Sequence, residues 1–137
     1  MIKSIPVVLD TNVLVSALWS ANGIPAQILH LIPDGVITPI YCTEILGEYS
    51  TVLVRPSFKF LPNQVDELLQ QFTKFGKHVS PERSNTLLPD ESDRKFYDAA
   101  RSENARLITG NLKHFPDETF VMSPAEFYQF ILEGSME

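Results

Sequence analysis

The sequence is poor in cysteine and in long apolar runs. Cys42 is the only cysteine among 137 residues, so no disulfide can form within the chain, and this suits a reducing compartment. The apolar run before Asp10 is too short for the apolar region of a signal peptide, and no stretch is long enough to span a bilayer. These absences predict a cytoplasmic protein.

Positive charge is also scarce. The chain has a formal net charge of −6, which argues against broad non-specific binding to nucleic acid. It does not exclude an enzyme that acts on nucleic acid, because a site that gathers carboxylates around a divalent cation is itself acidic. Hydrophobic residues make up 44% of the chain and charged residues 20%, an ordinary balance for a folded protein. The length fits a single domain over residues 1–137.

Short apolar runs alternate with amphipathic segments along the chain. The apolar runs predict strands near residues 5–9, 36–40, 77–80, 106–109 and 119–122. Helical spacing predicts helices over residues 12–19, 25–32, 42–54, 62–75 and 92–104, and a last helix that Ser123 caps. This alternation predicts an α/β fold, a three-layer α/β/α sandwich with a central parallel sheet of about four to five strands. The functional site of such a fold lies at the carboxyl ends of the strands.

Two carboxylates stand where a surface charge is not expected. Asp10 directly follows the first predicted strand, which is almost wholly apolar, so it lies at the carboxyl edge of the sheet. In the helix after the second strand, Glu48 falls within the apolar stripe that includes Ile45 and Tyr49, so its side chain is expected to point inward. Glu44, one turn earlier, lies near the margin of that face and is a further candidate.

A third carboxylate stands at the start of the helix predicted from residue 92. Ser92 is suited to cap this helix, and Phe96 and Tyr97 belong to its apolar stripe. Asp93 lies one turn before that stripe and on the same face. Asp98 lies well round the helix from Asp93, and we expect it to be exposed.

Each of these carboxylates also has a purely structural interpretation. Asp10 can cap the helix that follows it, Glu48 can pair with a lysine or arginine at the edge of the core, and Asp93 can stabilise a helix N-terminus by about 0.3–1 kcal/mol. Their coincidence at strand ends and adjoining helix turns favours a shared site, because carboxylates held that close repel each other and lose hydration. A bound Mg²⁺ or Mn²⁺, which prefers oxygen ligands, relieves that repulsion.

Five segments resemble the motifs of PIN-domain ribonucleases, and the likeness covers essentially the whole chain. Residues 8–18 resemble the opening motif, and residues 44–56 resemble the second acidic motif as it occurs in PIN-domain toxins of toxin–antitoxin systems. Residues 90–100 resemble the third motif, residues 107–111 the fourth and residues 123–127 the C-terminal close. Each motif is short, and it is their order and spacing that make the resemblance specific.

The resemblance implies a PIN-like fold and a Mg²⁺- or Mn²⁺-dependent endoribonuclease, the toxin of a toxin–antitoxin pair. Asp10, Glu48 and Asp93 would be the catalytic residues and metal ligands. Asn12 would orient Asp10, and Thr109 would lie beside the site at the end of the fourth strand. The implied reaction is hydrolysis of an RNA phosphodiester by metal-bound water. Besides RNA, the implied partners are a small antitoxin protein that covers the acidic cleft and a second copy of the chain in a homodimer.

One position departs from the family pattern. The fourth motif of many relatives ends in Thr-Gly-Asp, whereas here Thr109 and Gly110 are followed by Asn111. Asparagine offers a carbonyl oxygen without a charge, so Asn111 would be a weak metal ligand, and we expect a second cation to be held loosely. Asn111 could instead cap the turn that follows, and Asp98 or Asp117 could reach in to compensate.

Three other interpretations stay open at this point. His114 is a further candidate, as a general acid, although a histidine in such a loop is more often packed or solvated. The main alternative function is a weakly active or inactive PIN-like domain that binds RNA or a protein, and Asn111 favours it. A phosphatase of the haloacid-dehalogenase type also begins with a strand that ends in aspartate, but it needs a second aspartate two residues on, where this chain has Asn12.

Overall fold

Five parallel strands form one sheet in the computed structural model of the chain, which describes residues 3–135. The strands are β1 (Ile5–Leu9), β2 (Ile37–Tyr41), β3 (Lys77–His78), β4 (Arg106–Ile108) and β5 (Val121–Met122). Their order in the sheet is β3-β2-β1-β4-β5, and each neighbouring pair is parallel. The parallel sheet is as predicted, although the last three strands are shorter than the sequence pattern indicated.

Six α-helices pack around the sheet in the described part of the chain. They are α1 (Thr11–Trp19), α2 (Ile24–His30), α3 (Thr43–Val52), α4 (Pro62–Phe75), α5 (Arg94–Ser102) and α6 (Pro124–Ser135). Helix α2 packs against α1 and α6, whereas α3 packs against α4 and α5. Sheet and helices form the predicted three-layer α/β/α sandwich. Within residues 3–135, every helix is too short or too polar to cross a bilayer.

Strand β1 lies at the centre of the sheet and is buried on both faces. Val7, Val8 and Leu9 are each 0% exposed, which explains why this strand is a continuous apolar run rather than an alternating one. It pairs with β2 on one side and with β4 on the other, where Leu9 lies opposite Ile108. This register brings the carboxyl ends of β1 and β4 side by side.

The order of the strands reverses at β1. The chain goes from β1 to β2 on one side of it, whereas β4 and β5 lie on the other side. At such a switch point the connections diverge and leave a crevice outside the carboxyl ends of the strands. Asp10 follows β1 and Thr109 follows β4, so both residues stand at the edge of this crevice.

A cluster of aromatic rings holds α3 and α5 near the end of β1. Tyr49 is 0% exposed, and its hydroxyl donates a hydrogen bond to the carbonyl oxygen of Leu9. The Tyr49 ring centroid lies 5.0 Å from that of Phe72 in α4 and 6.4 Å from that of Phe96 in α5. Ring pairs at such distances contribute about 0.5–1.5 kcal/mol beyond the area they bury. Because Glu48 precedes Tyr49 in α3, the same cluster positions Glu48 near the end of β1.

The connection between β3 and α5 includes a segment without helix or strand, residues 79–90, which Arg94 fastens to the fold. Arg94 is 7% exposed, and its guanidinium donates to the carbonyl oxygens of Ser84 and Thr86 at 3.0 and 2.6 Å. It also donates to both carboxylate oxygens of Glu91. A guanidinium tolerates burial when its donors are hydrogen bonded. The segment is therefore held against the first turn of α5.

Asp98 is buried, so the exposure predicted for it is wrong. The residue is 5% exposed; its Oδ2 accepts a 3.2 Å hydrogen bond from the backbone N–H of Ser84, and its Oδ1 lies 3.9 Å from Nη1 of Arg94. Helical periodicity could not reveal this burial, because the segment 79–90 covers a face of α5 that would otherwise be open to solvent.

The two predicted helix caps have different outcomes. A 3₁₀ turn, Glu91–Asp93, precedes α5, and the carboxylate of Asp90 accepts from the backbone N–H of Ser92 at 2.9 Å. Asp90 therefore caps the 3₁₀ turn, α5 follows Asp93 without a side-chain cap, and the prediction that Ser92 is the cap is wrong. At α6, Ser123 Oγ accepts from the N–H of Glu126 at 3.1 Å, and Glu126 Oε1 accepts from the N–H of Ser123 at 2.9 Å. This reciprocal pair is a capping box, which confirms the predicted cap.

Candidate functional site

Asp10 is a buried carboxylate at the switch point of the sheet. It is 7% exposed, and its backbone N–H donates to the carbonyl oxygen of Ile108 at 2.9 Å, which extends the pairing of β1 with β4. The hydroxyl of Thr109, itself 0% exposed, donates to Oδ2 of Asp10 at 2.8 Å. The first residues beyond two adjacent strands are thus joined directly.

Asn12 strengthens the same junction. Its Oδ1 accepts a 3.0 Å hydrogen bond from the backbone N–H of Gly110, and its Nδ2 lies 3.4 Å from Oδ2 of Asp10. The backbone N–H of Asn111 donates to Oγ1 of Thr109 at 3.0 Å. The approach is close: a Cβ at Gly110 would lie 3.3 Å from Oδ1 of Asn12. These bonds fix the orientation of the Asp10 carboxylate from two loops.

Both oxygens of the Glu48 carboxylate are engaged. Oε2 accepts a short hydrogen bond from the hydroxyl of Thr11, and Oε1 lies 2.7 Å from the ammonium nitrogen of Lys95. The side chain of Glu48 is 26% exposed and that of Lys95 18%. The structural interpretation of Glu48, an ion pair at the edge of the core, is therefore realised in this structure, together with a location beside Asp10 and its neighbour Thr11.

Asp93 has one carboxylate oxygen that is buried but not hydrogen bonded. Its side chain is 14% exposed, and Oδ2 has no hydrogen-bond partner among residues 3–135. Nδ1 of His114 lies 3.4 Å from this oxygen. A buried acceptor without a donor loses its hydration without compensation. His114 does not satisfy this oxygen of Asp93 with a hydrogen bond, so the oxygen can bind a further ligand.

The three carboxylates act on one another electrostatically. Burial raises the pKa of Asp10 to about 6, and repulsion by Asp93 and Glu48 contributes, while the hydrogen bond from Thr109 opposes the rise. Burial also raises the pKa of Asp93, with repulsion by Asp90 and Glu48 contributing. Carboxylates raise each other's pKa in this way only when they are close. Asp10, Glu48 and Asp93, from three separate segments, are therefore near enough to one another to interact electrostatically.

The further candidates lie in different surroundings. His114 contacts Asp93 as described, whereas Asp98 is bonded to the segment 79–90. Glu44 is exposed, and a hydrogen bond with its own backbone N–H lowers its pKa. Asn111 is partly buried, and Asp117 is exposed. Of these candidates, His114 alone is seen in contact with one of the three central carboxylates within the described residues.

A cleft of about 600 Å³ adjoins Glu48 and Lys95. It lies between the start of α3 and the segment 79–90, and Thr43, Val79 and Arg83 are among the residues that line it. The side chain of Arg83 is 73% exposed and pairs with Glu91 at 3.3 Å. The lining of the cleft is therefore mixed in charge, with acidic side chains such as Glu48 and Glu91 beside basic ones such as Arg83 and Lys95.

The donor set fits a hard divalent cation in kind. All three central side chains offer carboxylate oxygens, which Mg²⁺ and Mn²⁺ prefer, and the orphaned Oδ2 of Asp93 and the raised pKa of Asp10 are relieved by a positive charge. In the described part of the chain, however, no three His, Cys, Asp or Glu side chains are gathered as a ready metal cluster. The cation within contact distance of Glu48 here is Lys95.

Lys95 was missed by the sequence interpretation, which considered only acidic and polar ligands. The available signal was its place two residues after Asp93, together with the expectation that Glu48 pairs with a base. Position in the sequence alone does not show that Lys95 is the base that pairs with Glu48. Arg94 and Lys95 are adjacent, and only the structure distinguishes their contacts. Arg94 is directed to the segment 79–90, and Lys95 to Glu48.

Comparison with known proteins gives three similarities. The model of the PIN domain family matches residues 6–113. The uncharacterized protein MJ1680 of Methanocaldococcus jannaschii is 36% identical over 110 residues, which are 78% of this chain and 71% of that protein. The fold is similar to the crystal structure of VapBC2 from Rickettsia felis bound to a DNA fragment from their promoter. The TM-score is 0.56 at 19% identity, over 87% of this chain and 97% of that one.

Proposed function

Because this chain belongs to the PIN domain family, we propose that it is a Mg²⁺- or Mn²⁺-dependent endoribonuclease that hydrolyses RNA phosphodiester bonds. Proteins with PIN domains are generally nucleases. The observation that carries the proposal is geometric: Asp10 is buried at the switch point, Glu48 is bonded to its neighbour Thr11, and Asp93 has a buried oxygen without a hydrogen bond. A divalent cation would relieve their repulsion beyond what the single ammonium of Lys95 offers.

The proposed metal ligands are Asp10, Glu48 and Asp93. A bound Mg²⁺ or Mn²⁺ would supply a Lewis acid for the phosphate and an activated water as nucleophile. The chain's own contribution is orientation, since Thr109 and Asn12 fix the Asp10 carboxylate and Thr11 fixes that of Glu48. Partners of this kind typically matter for metal affinity or activity by about 10–100-fold.

The cleft beside Glu48 supports RNA as the substrate. Arg83 lines it with a side chain that is 73% exposed and is the basic group available to a backbone phosphate there, since Lys95 is paired with Glu48. With a net charge of −6, the chain as a whole repels a polyanion, so binding would be confined to this basic lining. Binding in this cleft would bring the RNA backbone beside Glu48, the one proposed metal ligand that lines it.

We also propose that the protein is the toxin of a toxin–antitoxin pair, neutralised by a small antitoxin, and that it forms a homodimer. The similarity in fold to VapBC2, which is bound to a fragment of promoter DNA, supports a partner of this type. A chain of net charge −6 is poorly suited to bind DNA non-specifically. In a comparable assembly, contact with the promoter would therefore be made by the partner.

The test is cleavage of labelled single-stranded and structured RNA by the purified protein with Mn²⁺, and with EDTA as a blank. We expect cleavage by the wild type and a loss of at least about 100-fold in Asp10→Asn, since a ligand charge is removed. Asp34→Asn is the matched control, because Asp34 is an exposed aspartate before β2, at the opposite edge of the sheet. Equal cleavage by the wild type and Asp10→Asn would contradict the proposal.

The second candidate function is an RNA-binding PIN domain with little or no activity. It is favoured by the ion pair of Lys95 with Glu48 and by the neutral Asn111. The same experiment distinguishes it: RNA would be retained in a gel-shift assay with equal affinity by the wild type and Asp10→Asn, and neither would cut it. The phosphatase alternative has lost its support, because Asn12 is engaged with Gly110 and Asp10 and has no acid to offer.

A further inference from the structure

Lys95 inserts a positive charge into the acidic cluster. Its ammonium lies 2.7 Å from Oε1 of Glu48 and donates a short hydrogen bond to the carbonyl oxygen of Ser92. The same nitrogen stands 5.1 Å from the ring centroid of Phe96. The side chain is only 18% exposed, so it is held by three contacts and is not a freely solvated lysine.

The Lys95 ammonium reduces the net negative charge of the three carboxylates. Asp10, Glu48 and Asp93 carry three negative charges when ionised, and Asn111 adds none where relatives would add a fourth. With Lys95 the remaining charge is −2, which a single divalent cation neutralises. A second divalent cation would leave an excess of positive charge in a partly buried site, where it is poorly screened.

We propose that Lys95 is the resident counter-cation of the acidic cluster and that it limits the site to one divalent metal ion. The proposal rests on the proposed metal dependence and deepens it. Lys95 acts on the metal through Glu48, so it is a positioning residue. It leaves Glu48 usable as a ligand, because each carboxylate oxygen accepts two partners. The Lys95 ammonium occupies one acceptor position of the Glu48 carboxylate and repels a cation that approaches the remaining positions.

The test counts metal ions and measures their affinity, without reference to cleavage. Isothermal titration calorimetry and electron paramagnetic resonance of free Mn²⁺ are applied to the wild type, Lys95→Met and Lys95→Arg. We expect one Mn²⁺ per wild-type chain and about tenfold tighter binding in Lys95→Met, since a unit charge nearby is removed. Lys95→Arg keeps the charge and should bind like the wild type.

A matched control removes a different ion pair, one that lies outside the acidic cluster. Lys77 pairs with Glu103 at 2.9 Å, just beyond the end of α5 that is remote from Asp93. Lys77→Met should leave Mn²⁺ binding unchanged. Thermal melting of each variant in EDTA establishes that the protein is folded before titration.

The double variant Lys95→Met with Asn111→Asp tests the limit itself. It replaces a positive charge by none and a neutral side chain by a carboxylate, so we expect it to bind two Mn²⁺ ions. Asn111→Asp alone should bind its Mn²⁺ more tightly than the wild type. Two ions in the wild type, no binding in any variant, or equal or weaker binding in Lys95→Met would each overturn the proposal.

These outcomes are separable from failure of the proposed function. A chain that takes up one Mn²⁺, responds to Lys95→Met as expected and cuts no RNA would support the counter-cation role and reject the ribonuclease. If the wild type cuts RNA with Mn²⁺ while Lys95→Met binds Mn²⁺ like the wild type, the ribonuclease is supported and the counter-cation role is rejected.

Discussion

The hydroxyl of Thr109 donates a 2.8 Å hydrogen bond to the Asp10 carboxylate, across 99 residues of sequence. Both residues are buried, and each is the first beyond its strand. The bond opposes the rise in the pKa of Asp10 that burial causes. Thr109 therefore helps to keep Asp10 ionised and, through the fixed pairing of β1 with β4, directed at one point.

Replacing Thr109 by valine should raise the pKa of Asp10 above about 6, because the carboxylate loses the donor that stabilises its charge. Carboxyl ¹³C chemical shifts followed by NMR against pH measure this directly. If Asp10 must be ionised for RNA cleavage, the acidic limb of the pH–rate profile moves to higher pH and activity falls about tenfold or more. Thr109→Ser keeps the hydroxyl and should behave like the wild type; a valine variant with an unshifted titration would contradict the assignment.

Asp10→Asn should make the metal-free protein more stable at neutral pH. The pKa of Asp10 is about 6 in the folded chain against an ordinary 3.8, so the folded state binds the proton more tightly. Stability then falls as pH rises from about 4 to about 6, and by pH 7 the ionised carboxylate costs up to about 3 kcal/mol. Asparagine removes this cost.

Urea denaturation in EDTA at several pH values measures the effect. The advantage of Asp10→Asn should be largest above pH 7 and should disappear near pH 3, where the wild type is protonated in both states. Asp34→Asn, at an exposed turn, should show no such trend. A difference between Asp10→Asn and the wild type that does not depend on pH would mean that the charge is not its cause.

Arg83→Ala should weaken RNA binding without affecting Mn²⁺ binding, since its exposed side chain lines the cleft and pairs with Glu91 rather than with any of the three carboxylates. Filter binding with uncleavable RNA should show about three- to tenfold lower affinity, and a salt dependence whose slope is smaller by about 0.7 for a single strand. Arg55→Ala, an exposed arginine that does not line this cleft, is the control. Equal losses in both variants would mean that the cleft is not the RNA path.

Arg94→Met should destabilise the protein by about 3 kcal/mol, because the buried Asp98 and the carbonyl groups of Ser84 and Thr86 lose their partner. Urea denaturation measures this. Arg101→Met removes a single exposed hydrogen bond, to Oγ1 of Thr86, and should cost less than about 1 kcal/mol. Similar losses in both would show that burial of Arg94 adds nothing.

Much of the fold follows from patterns that are local in sequence. The run that ends at Leu9 is apolar throughout because β1 is buried on both faces, and this alone locates Asp10 at the edge of the sheet. The stripe of α3 predicted that Glu48 points inward, and it contacts Thr11 next to Asp10. Strand and helix periods are enough to place side chains on faces, and the metal-ligand roles of these carboxylates stay predictions.

The rest depends on contacts between distant segments. The sequence predicts Asp98 on the surface because it lies well round the helix from Asp93, but Arg94 holds residues 79–90 over it. Lys95 looked like one basic residue among others, and only its distance from Glu48 distinguishes it. Ser92 does not cap α5, because a 3₁₀ turn capped by Asp90 precedes the helix, a local feature that periodicity does not encode.

The segment 79–90 divides the site between two halves of the chain. Asp10 and Glu48 precede it, whereas Asp93 and Thr109 follow it, and Leu87 within it is 91% exposed. A cut after Leu87 would leave each half with an incomplete set of carboxylates. Separation of the halves would also break the pairing of β1 with β4.

The bonds of Arg94 to Ser84 and Thr86 would then join two molecules rather than two parts of one. If the proposed function is correct, the two fragments form a split enzyme. Each fragment is inactive alone, and activity returns when proteins fused to the fragments bind each other. RNA cleavage would then report binding between the two fused proteins. Substitution of Arg94 would adjust the affinity of the two fragments for each other.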